Sequence, residues 1–436
     1  MQSLLIYFLS TLLYVWGLDS CISYAVKEHH QMRKSALSLE QNRNALTNSR
    51  LAFTPRLSSS LSYQQGWGRS VDLQTLQIIN GRSTGTAGIS VGATVSLLEG
   101  LSKLFRLRTA KEKTVLGEYE YESFREEVSI AVTKAYLEVL LCHRILLSCE
   151  RNMESTGLQR DIVSSKVSIG EQPLGSLLEV EALLNSEKVR VVEARGRLEI
   201  AYLSLRSAMC FPPYDSLQID FPEEVGLLPP PVDLDEYELA AAVEGRPAFR
   251  AAESRERINE LAFKSSKWAW LPTLTLSGGY STFWSSNYRD AAGRQIPFGT
   301  QLEGNGNPSL GLTLSIPMFD NWNRHFKLRN AGLELQTSAI ERERIRREIE
   351  DALREALIET RTLYRKVEAC LQTKKSMEQA LEAVTAKFDS GAVSAVEFTV
   401  SQTKCFQAVC EYYEALFQYI FQTKIVDLFR GVPVKL

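Results

Sequence analysis

The sequence predicts a mixed α+β membrane protein: long antiparallel helical hairpins, a β-barrel that one chain cannot close, four strands per chain, and the whole plan duplicated. Three observations carry this reading. Short stretches alternate with a period of two between apolar residues and a set made only of Ser, Thr, Gly and Pro. Very long stretches carry apolar residues at steps of three and four. Landmarks of different kinds recur at an almost constant offset.

The clearest strand lies within NPSLGLTLSIPMFDNW, Asn307 to Trp322. Leu310, Leu312, Leu314, Ile316 and Met318 point one way, and Gly311, Thr313, Ser315 and Pro317 the other, since alternate residues occupy opposite faces. A small hydroxylated face suits a watery lumen better than a charged exterior, the pattern of a transmembrane strand. The same alternation in a soluble sheet is the competing reading, and the rest of the chain decides between them.

Composition sets the bounds. The 436 residues are 23% charged and 44% hydrophobic with a formal charge of -2, which excludes a long disordered chain and gives no basic field for nucleic acid. The apolar run Leu4 to Leu18 reads as the core of a secretory signal, with Ser23-Tyr24-Ala25 as a small-x-small cleavage site, although no Lys or Arg precedes it. Cys21 is a candidate for lipid attachment, but Asp19 stands where a lipobox takes a small or apolar residue. Beyond this run no segment is apolar enough for a membrane helix, so strands must make any crossing. The seven cysteines contain no CxxC pair and the four histidines no metal spacing; no metal and no cofactor are expected.

In order, Val26 to Leu51 is a polar helix, and Pro55 to Tyr63 alternates again, with Leu57, Leu61 and Tyr63 against Ser58, Ser60 and Ser62. Gly66 to Gly88 is rich in Gly, Ser, Thr and Asn and reads as an exposed loop. A second strand, Ile89 to Leu97, places Ser90, Thr94 and Ser96 on the inner face. From Leu101 the period becomes helical: Val128, Val132, Ala135, Val139, Cys142 and Leu146 form a heptad-like stripe. One helix from Leu101 to Lys166 would be about 100 Å long, at 1.5 Å per residue. A second runs from Ser176 to Met209, followed by the proline-rich Cys210 to Pro231.

Then the plan repeats. A short helix covers Leu234 to Val243, and Gly245-Arg246-Pro247 opens another to about Trp270. Strand three puts Thr275 and Ser277 on the inner face, and the loop from Trp284 to Pro308 leads into the strand bearing Thr313 and Ser315. A long helix, Asn323 to Phe388, breaks at Asp389-Ser390-Gly391, and a last one runs from Ser394 to Phe429. Pro55 and Pro272 stand 217 apart, Gly92 and Gly311 219, Gly170 and Gly391 221. The expected layout is therefore residues 1–25 as signal peptide, 26–210 as first repeat (helix, β-hairpin, long helical hairpin), 211–245 as mid-chain linker, 246–429 as second repeat, and 430–436 as tail.

Four strands with an apolar outer face cannot close a barrel, and open edges cannot sit in lipid, so copies of the chain must complete it. The aromatics Trp67, Tyr280, Phe283, Trp284 and Tyr288 lie near strand ends and suit a membrane-surface girdle. Gly88-Ile89-Ser90-Val91-Gly92 fits the GxSxG elbow, yet alternation continues through it to Leu97, whereas an elbow turns into a helix. With no Walker loop, HExxH or dinucleotide fingerprint, enzymatic function is not expected.

The chain resembles the TolC-like family of outer-membrane efflux and secretion channels over about Ala36 to Phe429. The resemblance rests on Leu271-Pro272-Thr273-Leu274, Gly311 to Asp320, Gly245-Arg246-Pro247 with Ala251-Ala252-Glu253, and two tip segments. These are Lys166-Val167-Ser168-Ile169-Gly170 before Leu178-Glu179-Val180-Glu181-Ala182, and Lys387-Phe388-Asp389-Ser390-Gly391 before Ser394 and Glu397. It implies a homotrimer with a twelve-stranded barrel in the outer membrane and a periplasmic helical tunnel. It implies as partners a periplasmic adaptor (membrane fusion protein), contacting the tip at Lys166, Gly170, Lys387, Asp389, Gly391 and Ser394, and an inner-membrane transporter. The function implied is the exit duct of a tripartite efflux pump moving drugs and toxic compounds. The outlet of a type I protein-secretion system or of a heavy-metal exporter is the alternative within the class. A soluble periplasmic coiled-coil scaffold is the rival from another class, opposed by the signal-like start and the uncharged inner strand faces. Pro173 and Gly175 are additions to the first tip, and both tips carry Lys where the family often has Arg; both put the adaptor's identity in question rather than the fold.

Overall fold

The computed structural model describes residues 15–71, 78–99, 101–213, 215, 217–221 and 229–432. The apolar run expected to begin the chain lies outside these up to residue 14, as do parts of the mid-chain linker and of the tail. The chain folds into two compact units: Met1–Ser38 with Gly117–Ala252 and Arg342–Leu436, and Leu39–Leu116 with Glu253–Glu341.

The first unit is helical. It holds α1 (Leu18–Glu28), the start of α2 (His30–Leu51), most of α3 (Ser102–Ser168), α4 (Leu174–Met209), α5 (Glu236–Gly245), the opening of α6 (Pro247–Trp268), and most of α8 (Asn323–Asp389) with all of α9 (Ala395–Phe429). The duplication shows in the lengths of the longest elements: α3 and α8 have 67 residues each, and α4 and α9 differ by one, at 36 and 35. Among the described residues no helix is long and apolar enough to cross a membrane.

Burial follows the heptad stripe. Val128, Val132, Val139 and Cys142 of α3 are buried with Ala201, Leu205 and Met209 of α4 and Ala415, Leu416 and Ile420 of α9. Leu18, Cys21 and Ala25 of α1, spaced three and four apart, close the same core. The residues expected to border the signal, Cys21 among them, take part in this core. Ser23-Tyr24-Ala25 lies inside α1, Val15 and Trp16 pair with Gln218 and Ile219, and the Cys21 side chain is fully buried. Burial pushes the Cys21 thiol up to about 12.

Short elements carry their own start signals. Asp235 makes a capping box with Glu238: the Asp side chain accepts from the Glu238 N–H at 2.7 Å, and the Glu side chain accepts from the Asp235 N–H. Ser394 caps α9 by accepting from the Glu397 N–H at 3.3 Å.

The second unit holds a four-stranded antiparallel sheet, β1 (Arg56–Val71), β2 (Ile78–Glu99), β3 (Thr273–Ser285) and β4 (Asn307–Ser315), in sequential order. It is open, with β1 and β4 as its edges. The exposed loop expected over Gly66 to Gly88 is corrected: β1 continues to Val71 and β2 begins at Ile78, so the Gly- and Ser-rich residues extend the hairpin. Glycine and serine composition signals a turn only where no partner strand satisfies the backbone, and here one does. The later loop is shorter than expected too, and contains the helix α7 (Phe298–Gly304).

Candidate functional site: the two faces of the sheet and the two helical tips

Register sorts the sheet into chemically opposite faces, because directly paired residues share a face. Ser60, Ser90 and Ser281 stand in one row; Thr94, Ser277 and Gly311 in a second; Ser96, Thr275 and Thr313 in a third; Thr273 and Ser315 in a fourth. All seven expected inner residues, Ser90, Thr94, Ser96, Thr275, Ser277, Thr313 and Ser315, therefore lie on one face. Apart from Arg56 and Glu99 at one end, this face carries hydroxyls and glycine through its middle. The hydroxyls bond along it: Ser60 and Ser90 Oγ are 2.7 Å apart, and Ser277 Oγ donates to the Gly311 carbonyl at 3.4 Å. Ser90 sits mid-strand, so the GxSxG pattern makes no elbow.

The other face carries Leu57, Leu61 and Tyr63, Ile89, Val91 and Val95, Leu274, Leu276 and Tyr280, and Leu310, Leu312 and Leu314. Leu57, Leu61, Leu310, Leu312 and Leu314 are 58% to 81% exposed, an apolar stretch of sheet face open over these leucines. The bulge between Ser96 and Leu98 takes up Leu97 and keeps both sets in phase. Trp67, Tyr280 and Trp284 fall on this face. Phe283 does not: it pairs with Gly88 and lies on the hydroxylated side, one residue out of step with the girdle expected for it.

The loop after β3 is held by a residue the sequence reading missed. Gln301 of α7 is buried; its Oε1 accepts from the Ser285 N–H at 2.9 Å, and its Nε2 donates to the carbonyls of Ser285 (3.1 Å) and Ile296 (2.7 Å). Its amide stands in for a missing strand partner at the end of β3. Only the position of a lone Gln in a seven-residue helix would have flagged it.

The tips are built twice from the same parts. Gly170 has φ +80° and Gly391 φ +76°. At the first, Gly170 N–H donates to Val167 O (3.1 Å) and Glu171 N–H to Lys166 O (2.9 Å); at the second, Gly391 N–H donates to Phe388 O (3.0 Å) and Ala392 N–H to Lys387 O (2.8 Å). Both are Schellman motifs with glycine at the left-handed position. The tip positions meet at one contact, where Lys166 Nζ donates to the Asp389 carbonyl. Lys387, Asp389 and Ser394 are exposed, and Ile169, Leu174, Leu178, Val396 and Val400 leave the tips an apolar surface, each 46% to 69% exposed. Beneath it Phe388 and Phe398 stack with ring centres 5.0 Å apart.

Arg246, within Gly-Arg-Pro, joins the two repeats. Its guanidinium pairs with Glu126 of α3 at 2.8 Å, donates to Leu428 O at 3.1 Å and lies over the Phe429 ring at 4.6 Å. Burial raises the Glu126 carboxyl above its ordinary value, and Arg246 opposes that shift.

Comparison with known proteins matches this arrangement. The profile of outer membrane efflux proteins covers residues 21–210 and 239–421. The outer membrane protein TolC of Vibrio cholerae is 21% identical over 430 residues, 94% of this chain and 90% of that protein; TolC of Escherichia coli is 21% identical over 402 residues, 89% and 77%. The crystal structure of CusC superposes with a TM-score of 0.81 at 16% identity over 95% of this chain and 92% of that one. The Campylobacter jejuni CmeC outer membrane channel gives 0.81 at 15% identity over 95% and 85%. The two TolC proteins and CmeC are outer membrane proteins, and with most of its length matched the chain belongs to the outer membrane efflux protein family, a protein of the outer membrane.

Proposed function

We propose that the protein is the outer-membrane exit duct of a tripartite efflux assembly, a passive path for small toxic molecules driven by an inner-membrane transporter. The observation that carries this is the sheet: one face of hydroxyls and glycine, one of exposed leucine, and two unpaired edges. In lipid, unsatisfied edge N–H and C=O groups are too costly to persist, so copies of the chain complete the ring. Three copies give twelve strands, enough for an open lumen. Ser90, Thr94, Ser96, Thr275, Ser277, Thr313 and Ser315 then face inward, where hydroxyls hold water without the fixed charge that would select ions. The leucine face meets the acyl chains.

A periplasmic adaptor takes the tips. Gly170 and Gly391 shape the turns, Lys166, Lys387 and Asp389 supply charge, Ser394 fixes the start of α9, and the exposed apolar residues around them supply contact area. The test is direct. The detergent-extracted protein should have three times the protomer mass by light scattering and conduct in planar bilayers, and its loss should raise sensitivity to small toxic compounds. A monomer that stays in aqueous solution without detergent overturns the reading. A conducting trimer whose loss abolishes secretion of a protein, with drug sensitivity unchanged, moves it to the secretion alternative.

A further inference from the structure

The helices of the first unit pack in layers one heptad apart. Val163 of α3, Val180 of α4 and Ala395 of α9 share one buried cluster near the tip. Seven residues along each antiparallel helix stand Thr156, Glu187 and Gln402, all buried. A further seven bring Cys149 and Ala194, with Phe406 packed beside them, and seven more Cys142, Ala201 and Leu416. Every layer of this ladder is apolar but one.

In that layer Gln402 Nε2 donates to Thr156 Oγ1 at 2.8 Å, and Thr156 Oγ1 donates to Asn152 O at 2.9 Å. Glu187 is the only charged side chain among the buried described residues; it pairs with Arg190 at 2.8 Å, whose guanidinium crosses to the Phe406 ring at 5.5 Å. Within this layer and one turn toward the tip, three buried acceptors have no donor among the described residues: Glu187 Oε2, Gln402 Oε1 and Gln159 Oε1. Such atoms gain hydrogen bonds when helices separate and water enters, whereas the apolar layers on either side only lose contacts. The tipward section is held by the small cluster of Val163, Val180, Leu183, Phe388, Ala395 and Phe398, and by the Lys166 contact to Asp389.

We propose that the layer Thr156–Glu187–Gln402 is the break at which these helices part. The tip section, residues 157–183 and 386–401, loosens as one cooperative unit while the helices above the layer stay packed. As a gating device this rests on the duct reading; as a property of the helices it does not, and the experiment separates the two.

Amide hydrogen exchange of the full-length protein in detergent, read by mass spectrometry, should show peptides from 157–183 and 386–401 exchanging together. They should exchange at least about tenfold faster than those from 130–150 and 405–420, with the step at the layer. The double variant Thr156→Val/Gln402→Leu makes the layer apolar; it should slow tip exchange by about tenfold or more and leave the upper helices unchanged. Glu187→Gln, which removes the ionised group, should act in the same direction and serves if the double variant does not fold. A smooth gradient from the tip with no step, or variants that leave tip exchange unchanged or faster, overturns the proposal. If the step is present and moves with the variants while the protein fails to conduct in bilayers, the break stands and the duct reading fails. Conduction without a step sinks the break alone.

Discussion

Replacing Arg246 by Met keeps the length of the side chain and removes its charge, which isolates what the guanidinium does. Three interactions vanish: the 2.8 Å pair with Glu126, the 3.1 Å bond to Leu428 O and the stacking over Phe429. The Arg246 and Glu126 side chains are only 12% and 20% exposed, so the stranded carboxylate is poorly hydrated. Removing one partner of such a pair costs about 3–5 kcal/mol, most of it from the uncompensated charge. The three losses overlap and do not sum. Burial already raises the Glu126 carboxyl, and of the two arginines that draw it back Arg246 has the larger effect and Arg125 the smaller, so Arg246→Met should raise it further. A carboxyl raised by folding contributes most below its unfolded value, about 4.3, and loses that contribution as pH rises through the folded value. The deficit should therefore be smallest in acid and largest at neutral pH. Guanidinium unfolding followed by helical circular dichroism at pH 4.5 and pH 8 measures it, and Glu126→Gln in the Arg246→Met background should recover on the order of 2–3 kcal/mol. A loss below about 1 kcal/mol, or one that ignores both pH and Glu126, would refute the reasoning.

Gly391→Ala meets no atom within 4 Å, so its cost is purely that of a left-handed alanine, about 1–2 kcal/mol; Gly391→Asn should lose less, read as the thermal midpoint in detergent. Leu312→Arg should block assembly in the outer membrane, at a cost of about 2–4 kcal/mol near mid-bilayer, while its neighbour Thr313→Arg should assemble and alter single-channel conductance. Equal effects at the two positions would mean the faces are assigned wrongly. Gln301→Leu leaves the Ser285 N–H and two carbonyls without their partner, a loss of about 1–3 kcal/mol visible as faster amide exchange over 283–302.

Alternation and heptad spacing were enough to recover the strands, the four long helices and their duplication, because each pattern repeats over many residues. Leu310, Leu312 and Leu314 oppose Gly311, Thr313 and Ser315 in the structure as in the sequence. Patterns interrupted by one residue were not recoverable. Phe283 lies a single residue from Trp284, and a period of two sends neighbours to opposite faces whatever their chemistry. The stretch from Gly66 to Gly88 looked like a loop because strand preference is a matter of partners, and β1 and β2 supply each other's. α1 was hidden because a leader's apolar run and an amphipathic helix read alike when they abut.

The polar layer was hidden for a different reason. The stripe through Val139, Cys142 and Leu146 is followed one step on by Cys149 and a heptad later by Thr156, which read alone is only a break in apolar spacing. Glu187 and Gln402 are equally unremarkable in their own helices, each a common helical residue. Their meaning depends on antiparallel register between three helices separated by scores of residues, which places all three in one layer and leaves no apolar alternative there. Sequence periodicity reports which side of a helix faces inward; it does not report what stands opposite. A polar residue at an inward position is therefore a packing fault or a device depending on its partners, and three that coincide, with acceptors left open, mark where water can most readily divide the bundle.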